Sequence, residues 1–185
     1  MSRKSMLTIG IATVGLALMV GLAVFAQDSG EDKYNVRVPG GLAFSEFRGY
    51  ESWQIVYSSQ NERLVSAILA NPVMIEAYQA GIPGNGKPFP DGSRVMKITW
   101  NSKPSEEAPF PVQIPDTLAA LGCMVKDSGR FADSAGWGYA QFDYDPASDM
   151  FAPDTDQQEN DAKCGLGCHS LVEAKDYIFT AYGNR

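Results

Sequence analysis

Histidine is almost missing from this chain of 185 residues: it occurs once, at position 169. Cysteine occurs three times, an odd number that suits neither a fully paired disulfide framework nor a cysteine-rich secreted scaffold. Basic groups are in the minority, 15 against 22 acidic ones, for a net charge of -7. That balance argues against a partner gripped through phosphates, which needs a basic face, so no nucleic-acid partner is expected. After residue 26 no apolar run is long enough to cross a bilayer.

The one long uncharged run covers residues 6–26, behind Arg3 and Lys4 and ahead of the polar stretch Gln27-Asp28-Ser29-Gly30. A basic start, an apolar middle and small residues before a polar run make an export signal. The same 21 residues also match the length of a membrane-crossing helix. The expectation is a periplasmic or otherwise exported protein, with residues 1–26 removed as a signal peptide or residues 6–26 kept as an inner-membrane anchor. Residues 27–48 read as a polar lead-in, and residues 49–185 as one domain. Without the leader 159 residues remain, with 13 basic and 22 acidic groups and a net charge of -9. That length supports one sizeable core and not two domains.

Two cysteines and the histidine stand together in Cys164-Gly165-Leu166-Gly167-Cys168-His169. Two thiols and an adjacent imidazole are what covalent haem attachment requires, since each sulfur adds to a vinyl group and the imidazole takes the iron. The usual spacing has two residues between the cysteines; here there are three. Gly165 and Gly167 offer backbone freedom to absorb the extra residue. A Cys164–Cys168 disulfide and a zinc site of Cys123, Cys164, Cys168 and His169 are the bland alternatives. Cys123, within Leu121-Gly122-Cys123-Met124-Val125, reads as a small buried side chain.

A single histidine excludes bis-histidine iron ligation. With His169 as the proximal ligand, the sixth position falls to a methionine (Met74, Met96, Met124 or Met150), to water, or stays open for a small molecule, and an open site is the favoured reading.

Aromatic and β-branched content predicts a strand near residues 50–57, and further strands at 95–100, 121–125, 138–144 and 177–182. Leu64, Val65, Ile68 and Leu69 share a helical face, which predicts a helix over residues 62–70. Asn71-Pro72 starts another, with Asn as cap and Pro in the first turn, and Gly81 ends it. Residues 81–88 superficially resemble a phosphate-binding loop, but Pro88 occupies the hydroxyl position and a helix precedes. Phe89-Pro90-Asp91-Gly92 makes a turn. In residues 95–100, Met96, Ile98 and Trp100 share one face, and Val95, Lys97 and Thr99 the other; periodicity alone puts Lys97 on a solvated side. Residues 101–118 and 145–161 read as long loops. Antiparallel sheet with a few short helices, an α+β fold, fits this order better than alternating βαβ units.

Over residues 50–182 the chain resembles the cytochrome P-460 family. The resemblance is carried by Asn71-Pro72 with its helix and by Phe89-Pro90-Asp91-Gly92 leading to Lys97. It continues through Val125-Lys126-Asp127-Ser128-Gly129-Arg130-Phe131-Ala132, Trp137, the segment from Cys164 to His169, and Asp176-Tyr177-Ile178-Phe179-Thr180. The family implies an exported haem c protein with an antiparallel sheet packed by helices, often a homodimer. Its namesakes are haem-dependent oxidoreductases that oxidise hydroxylamine to nitrogen oxides, at a haem additionally bonded to a lysine; Lys97 matches that lysine. The related cytochromes c-prime-beta lack this bond and bind nitric oxide or carbon monoxide. The resemblance thus implies that Lys97 faces the haem, reversing the periodicity reading. It also implies a small nitrogen-containing molecule at the iron and an external electron carrier. Glu159 and Asp161 are candidates for a proton-accepting base beside it. A gas-binding cavity would be apolar and would draw on Phe89, Phe131, Phe142 and Phe179.

Overall fold

The alternating segments find their partners in the order in which they occur along the chain. In the computed structural model, which describes residues 32–39, 42–154 and 162–183, six strands make one antiparallel sheet. They are β1 (Gln54–Gln60), β2 (Leu64–Ala70), β3 (Arg94–Pro104), β4 (Gln113–Lys126), β5 (Trp137–Asp145) and β6 (Met150–Pro153), each paired with its neighbours in sequence. Helix α1 (Pro72–Gln79) joins β2 to β3, and α2 (Ala162–His169) follows β6. The fold is α+β, as the sequence predicts. The expected leader lies outside the described residues. Among those described, no helix is long and apolar enough to cross a membrane.

Both faces of the sheet are covered, so the core is split in two. On one face Leu69, Met96, Leu121, Cys123, Val125 and Phe142 meet Val38, Leu42, Phe44 and Phe47 from the segment before β1. On the other, Ile68, Val95, Met124, Trp137 and Tyr139 meet Met74, Ile75 and Tyr78 of α1, then Phe89 and Ile178. Residues up to 48 were expected as a polar lead-in. From Val38 onward they instead close one layer of the core, because Phe44 and Phe47 are wholly buried and Tyr34 stacks on Phe44 at 4.7 Å.

Four more expectations are corrected. Residues 64–70 form strand β2, not a helix. A strand with a neighbour on each side and both faces covered is a near-continuous apolar run, and such a run carries no decisive period. The hairpin that enters it is set by Asn61, whose Oδ1 accepts from the backbone N–H groups of Arg63 (2.9 Å) and Leu64 (2.8 Å). Residues 101–118 are mostly the far ends of β3 and β4, which pair from Ser102↔Pro115 to Pro104↔Gln113. Proline is tolerated there because β5 joins β4 only from Ala120 onward, so the outer edge of residue 115 carries no ladder. Residues 177–182 form no strand. They are an irregular segment, tied by Tyr78 Oη at 3.0 Å from Thr180 Oγ1 and by Gln54 Nε2 donating to Tyr182 Oη at 2.8 Å. Strand β6 arises inside a stretch read as loop.

Helix α1 follows its signals. Asn71 Oδ1 accepts from Met74 N–H at 3.2 Å, and Gly81 takes φ +88° just past the helix end. Asn71 does more than cap. Its Oδ1 also accepts from Arg94 N–H (3.0 Å), and its Nδ2 donates to Gly92 C=O (2.8 Å), tying α1 to the start of β3. Asn71→Ala is therefore expected to cost about 2 kcal/mol, the upper end for a lost cap, read as a lower denaturant midpoint at unchanged slope. A loss of only a few tenths would mean the three bonds are replaced by water.

Candidate functional site

One transverse row of the sheet builds the floor of the site. Register places Tyr57, Ile68, Lys97, Gly122 and Gln141 side by side across β1 to β5, all on the face that carries α1. These five line a hollow of ≈ 520 Å³ together with Tyr139, Asp154, Cys168, His169, Phe179 and Thr180. That volume lies in the range of cofactor pockets. Lys97 is exposed within it, on the same face as Val95, as its alternation predicts. Gly122 leaves the row without a side chain between Lys97 and Gln141. A Cβ there would meet the Lys97 Cβ at 3.6 Å, an ordinary contact.

The wall opposite is α2 and the segment after it. Cys164, Cys168 and His169 all belong to α2, with positions 164 and 168 one helical turn apart. The three-residue gap is thus the natural spacing for two residues on one helical face, and no backbone looseness at Gly165 is needed to absorb it. Gly165 serves close approach instead: a Cβ there would lie 2.1 Å from Tyr139 Cγ, so the helix backbone rests directly on β5. Cys168 presents an exposed free thiol.

His169 is half-buried between two rings, Tyr139 at 5.1 Å and Phe179 at 5.0 Å. Its Nδ1 lies 2.6 Å from the Tyr177 carbonyl oxygen, so Nδ1–H donates there and Nε2 keeps its lone pair. Burial holds its pKa below the usual histidine value against the pull of that carbonyl, and the nearby Lys97 charge lowers it further. A neutral imidazole with a fixed tautomer and a free Nε2 is the state in which histidine ligates a metal. These residues fit an iron porphyrin: an oriented ligand, a thiol one residue before it, and a hollow large enough for a cofactor.

Other sequence candidates fall elsewhere. Cys123 is 2% exposed on the opposite face, with Sγ donating to Met96 Sδ at 3.6 Å and burial pushing its pKa well up. Its thiol therefore points away from His169, which removes the fourth ligand of the zinc alternative. Of the four phenylalanines expected around a gas cavity, Phe179 alone lines the hollow. Phe131 and Phe142 belong to the other face, and Phe89 packs between Tyr78 and Trp137. Met124 lines the hollow; Met74 and Met96 are wholly buried in core, and Met150 sits in β6. Glu159 and Asp161 lie outside the described residues.

The sequence reading missed Tyr139, Gln141 and Asp154. Asp154 is buried at the end of β6, and its Oδ2 accepts from Gln141 Nε2 at 2.9 Å. Extending the β5 alternation from Trp137 would have found Tyr139 and Gln141 on one face. Asp154 depends on a strand hidden in an acidic stretch.

A search of curated proteins finds no match to the chain. The sequence profile of the Cytochrome P460 family matches residues 47–180, which span β1 to β6, α2 and the carbonyl that holds His169. The chain belongs to the cytochrome P460 family and is a haem protein of that family.

Proposed function

We propose that this is an exported protein carrying covalently attached haem c, and that it oxidises hydroxylamine to nitrogen oxides. The observation that carries the enzymatic reading is Lys97, the residue matching the family's crosslinking lysine, which stands in the same hollow as Cys168 and His169. His169 Nε2 would hold the iron, Cys164 and Cys168 would form the thioether bonds, and Lys97 Nζ would supply the further bond to the porphyrin. The haem supplies the redox chemistry, passing electrons from the substrate to an external carrier. The chain's own residues orient and protect that chemistry. Nδ1–H of His169 is fixed on a carbonyl, and Tyr139 and Phe179 flank the ring. Asp154, steadied by Gln141, offers a carboxylate in the hollow able to take protons released from the substrate, the role expected of Glu159 or Asp161. A cavity with an amine, an amide and a carboxylate supports turnover of a polar substrate better than the apolar gas-binding alternative.

Intact mass spectrometry of protein purified from a host with haem-attachment machinery tests this. The expected mass is that of a leaderless chain plus one haem, with peptide mapping showing modification at Cys164, Cys168 and Lys97. Lys97→Ala should keep the haem while losing the strong red shift of the reduced spectrum and hydroxylamine-dependent reduction of an added electron acceptor. An unmodified Lys97, tight nitric oxide binding and no turnover would turn the assignment to a gas binder. A colourless protein without iron would end both.

A further inference from the structure

The carbonyl that orients His169 is aimed by two consecutive residues in a conformation that side chains disfavour. Asp176 has φ +49° and Tyr177 φ +64°, both in the left-handed region and neither a glycine. Such a kink persists only where its surroundings over-determine it. Here the restraint is an ion pair buried beneath it, Lys126 Nζ to Asp176 Oδ1 at 2.8 Å and Oδ2 at 3.1 Å, with the two side chains only 6% and 11% exposed. Lys126 is the last residue of β4. Its ammonium also donates to the Ala135 carbonyl at 2.9 Å and lies 5.0 Å over the Trp137 ring. Asp176 Oδ2 further accepts from Phe89 N–H at 2.7 Å. A rigid strand end, a loop carbonyl, an indole and the turn before β3 therefore converge on one ion pair, the first three through its ammonium and the last through its carboxylate. The residue after it presents its C=O to Nδ1.

We infer that the Lys126–Asp176 ion pair is the positioning device that sets how strongly His169 donates to iron, by fixing the Tyr177 carbonyl against Nδ1–H. A buried ion pair is weak evidence for stability as such, since its desolvation offsets much of its attraction. Its use here is geometric. A proton held tightly on a 2.6 Å bond gives Nε2 more electron density, which stabilises the oxidised metal and lowers its reduction potential. Lys126 and Asp176 are not among the residues lining the hollow; they act through the backbone between Asp176 and Tyr177. The inference rests on His169 being the iron ligand.

The test uses the full haem-loaded protein and two variants. Asp176→Asn keeps an oxygen acceptor for Phe89 N–H but removes the charge. The double variant Lys126→Met, Asp176→Asn removes both charges and keeps an apolar stem over Trp137, so no unpaired ammonium is left buried. Both should show the iron–histidine stretching band of the ferrous protein at lower frequency in resonance Raman spectra. A spectroelectrochemical titration should give a raised reduction potential. Folded variants with the parent's band and potential would overturn the inference. So would loss of the cooperative thermal transition in the double variant, which would make the pair a folding element only. His169→Gly separates the two levels. If that variant keeps the parent's band, the ligand assignment itself is wrong. If it loses the band while the ion-pair variants match the parent, only the positioning role falls.

Discussion

His169→Gly is expected to remove the iron ligand proposed above while leaving the haem held by the thioether bonds proposed at Cys164 and Cys168. The described chain has no second imidazole to substitute, because the sequence contains one histidine in all. The effect on the absorption spectrum should therefore be complete rather than partial. The variant also opens a gap the size of an imidazole between Tyr139 and Phe179, whose rings flank the histidine at 5.1 and 5.0 Å. Added imidazole should enter that gap, donate its N–H to the Tyr177 carbonyl, and restore the parent spectrum at millimolar concentration, on the order expected for a small ligand with few contacts. A parent-like spectrum before imidazole is added would assign the iron to some other residue.

Gly165→Ala is expected to be the most damaging single methyl group in the domain. Its Cβ would lie 2.1 Å from Tyr139 Cγ and 2.4 Å from Tyr139 Cβ, atoms at the root of a side chain on β5 that cannot swing away without moving the backbone. Relief requires α2 to lift from β5, and α2 carries both cysteines and the histidine. The cost is expected at about 3 kcal/mol or more, the upper range for forcing an extra carbon into a packed site. It should be measured as a lowered denaturant midpoint with a reduced yield of haem-loaded protein. Gly167→Ala is the control. Nothing lies within 4 Å of its Cβ position, so stability and loading should stay near the parent's. Equal effects at 165 and 167 would show that the glycines serve backbone freedom, as the sequence suggests, and not close approach.

Local signals decided much of the architecture. The Asn71 cap and Pro72 start α1 where they should, and the strand-like runs at residues 95–100, 121–125 and 138–144 fall within β3, β4 and β5. Those signals work because each is enforced within a few residues, by a hydrogen bond or by the pleat. The elements that were misread have causes further away. Leu64, Val65, Ile68 and Leu69 look helical until β1 and β3 are on either side, when the same residues make a central strand. Residues 101–104 and 113–118 look like loop because of their prolines, yet they pair where one edge of the ladder stays open.

The cluster from Cys164 to His169 and its match to a haem-binding segment could be read directly from the letters, as could the acidity, the lone histidine and the landmarks of the family. These are properties of contiguous residues and of composition. Which face Lys97 takes could not be read that way, since period two sorts residues into two sets without saying what covers either. Pairing register brings Lys97 level with Gly122 and Gln141, and packing lowers α2 onto Tyr139 across from them. The tautomer of His169, the kink at Asp176 and Tyr177, and the Lys126–Asp176 pair beneath it likewise join residues up to 50 positions apart. Such contacts exist only after the sheet has formed, because no local preference favours a left-handed tyrosine or a buried lysine; the assembled surroundings impose both.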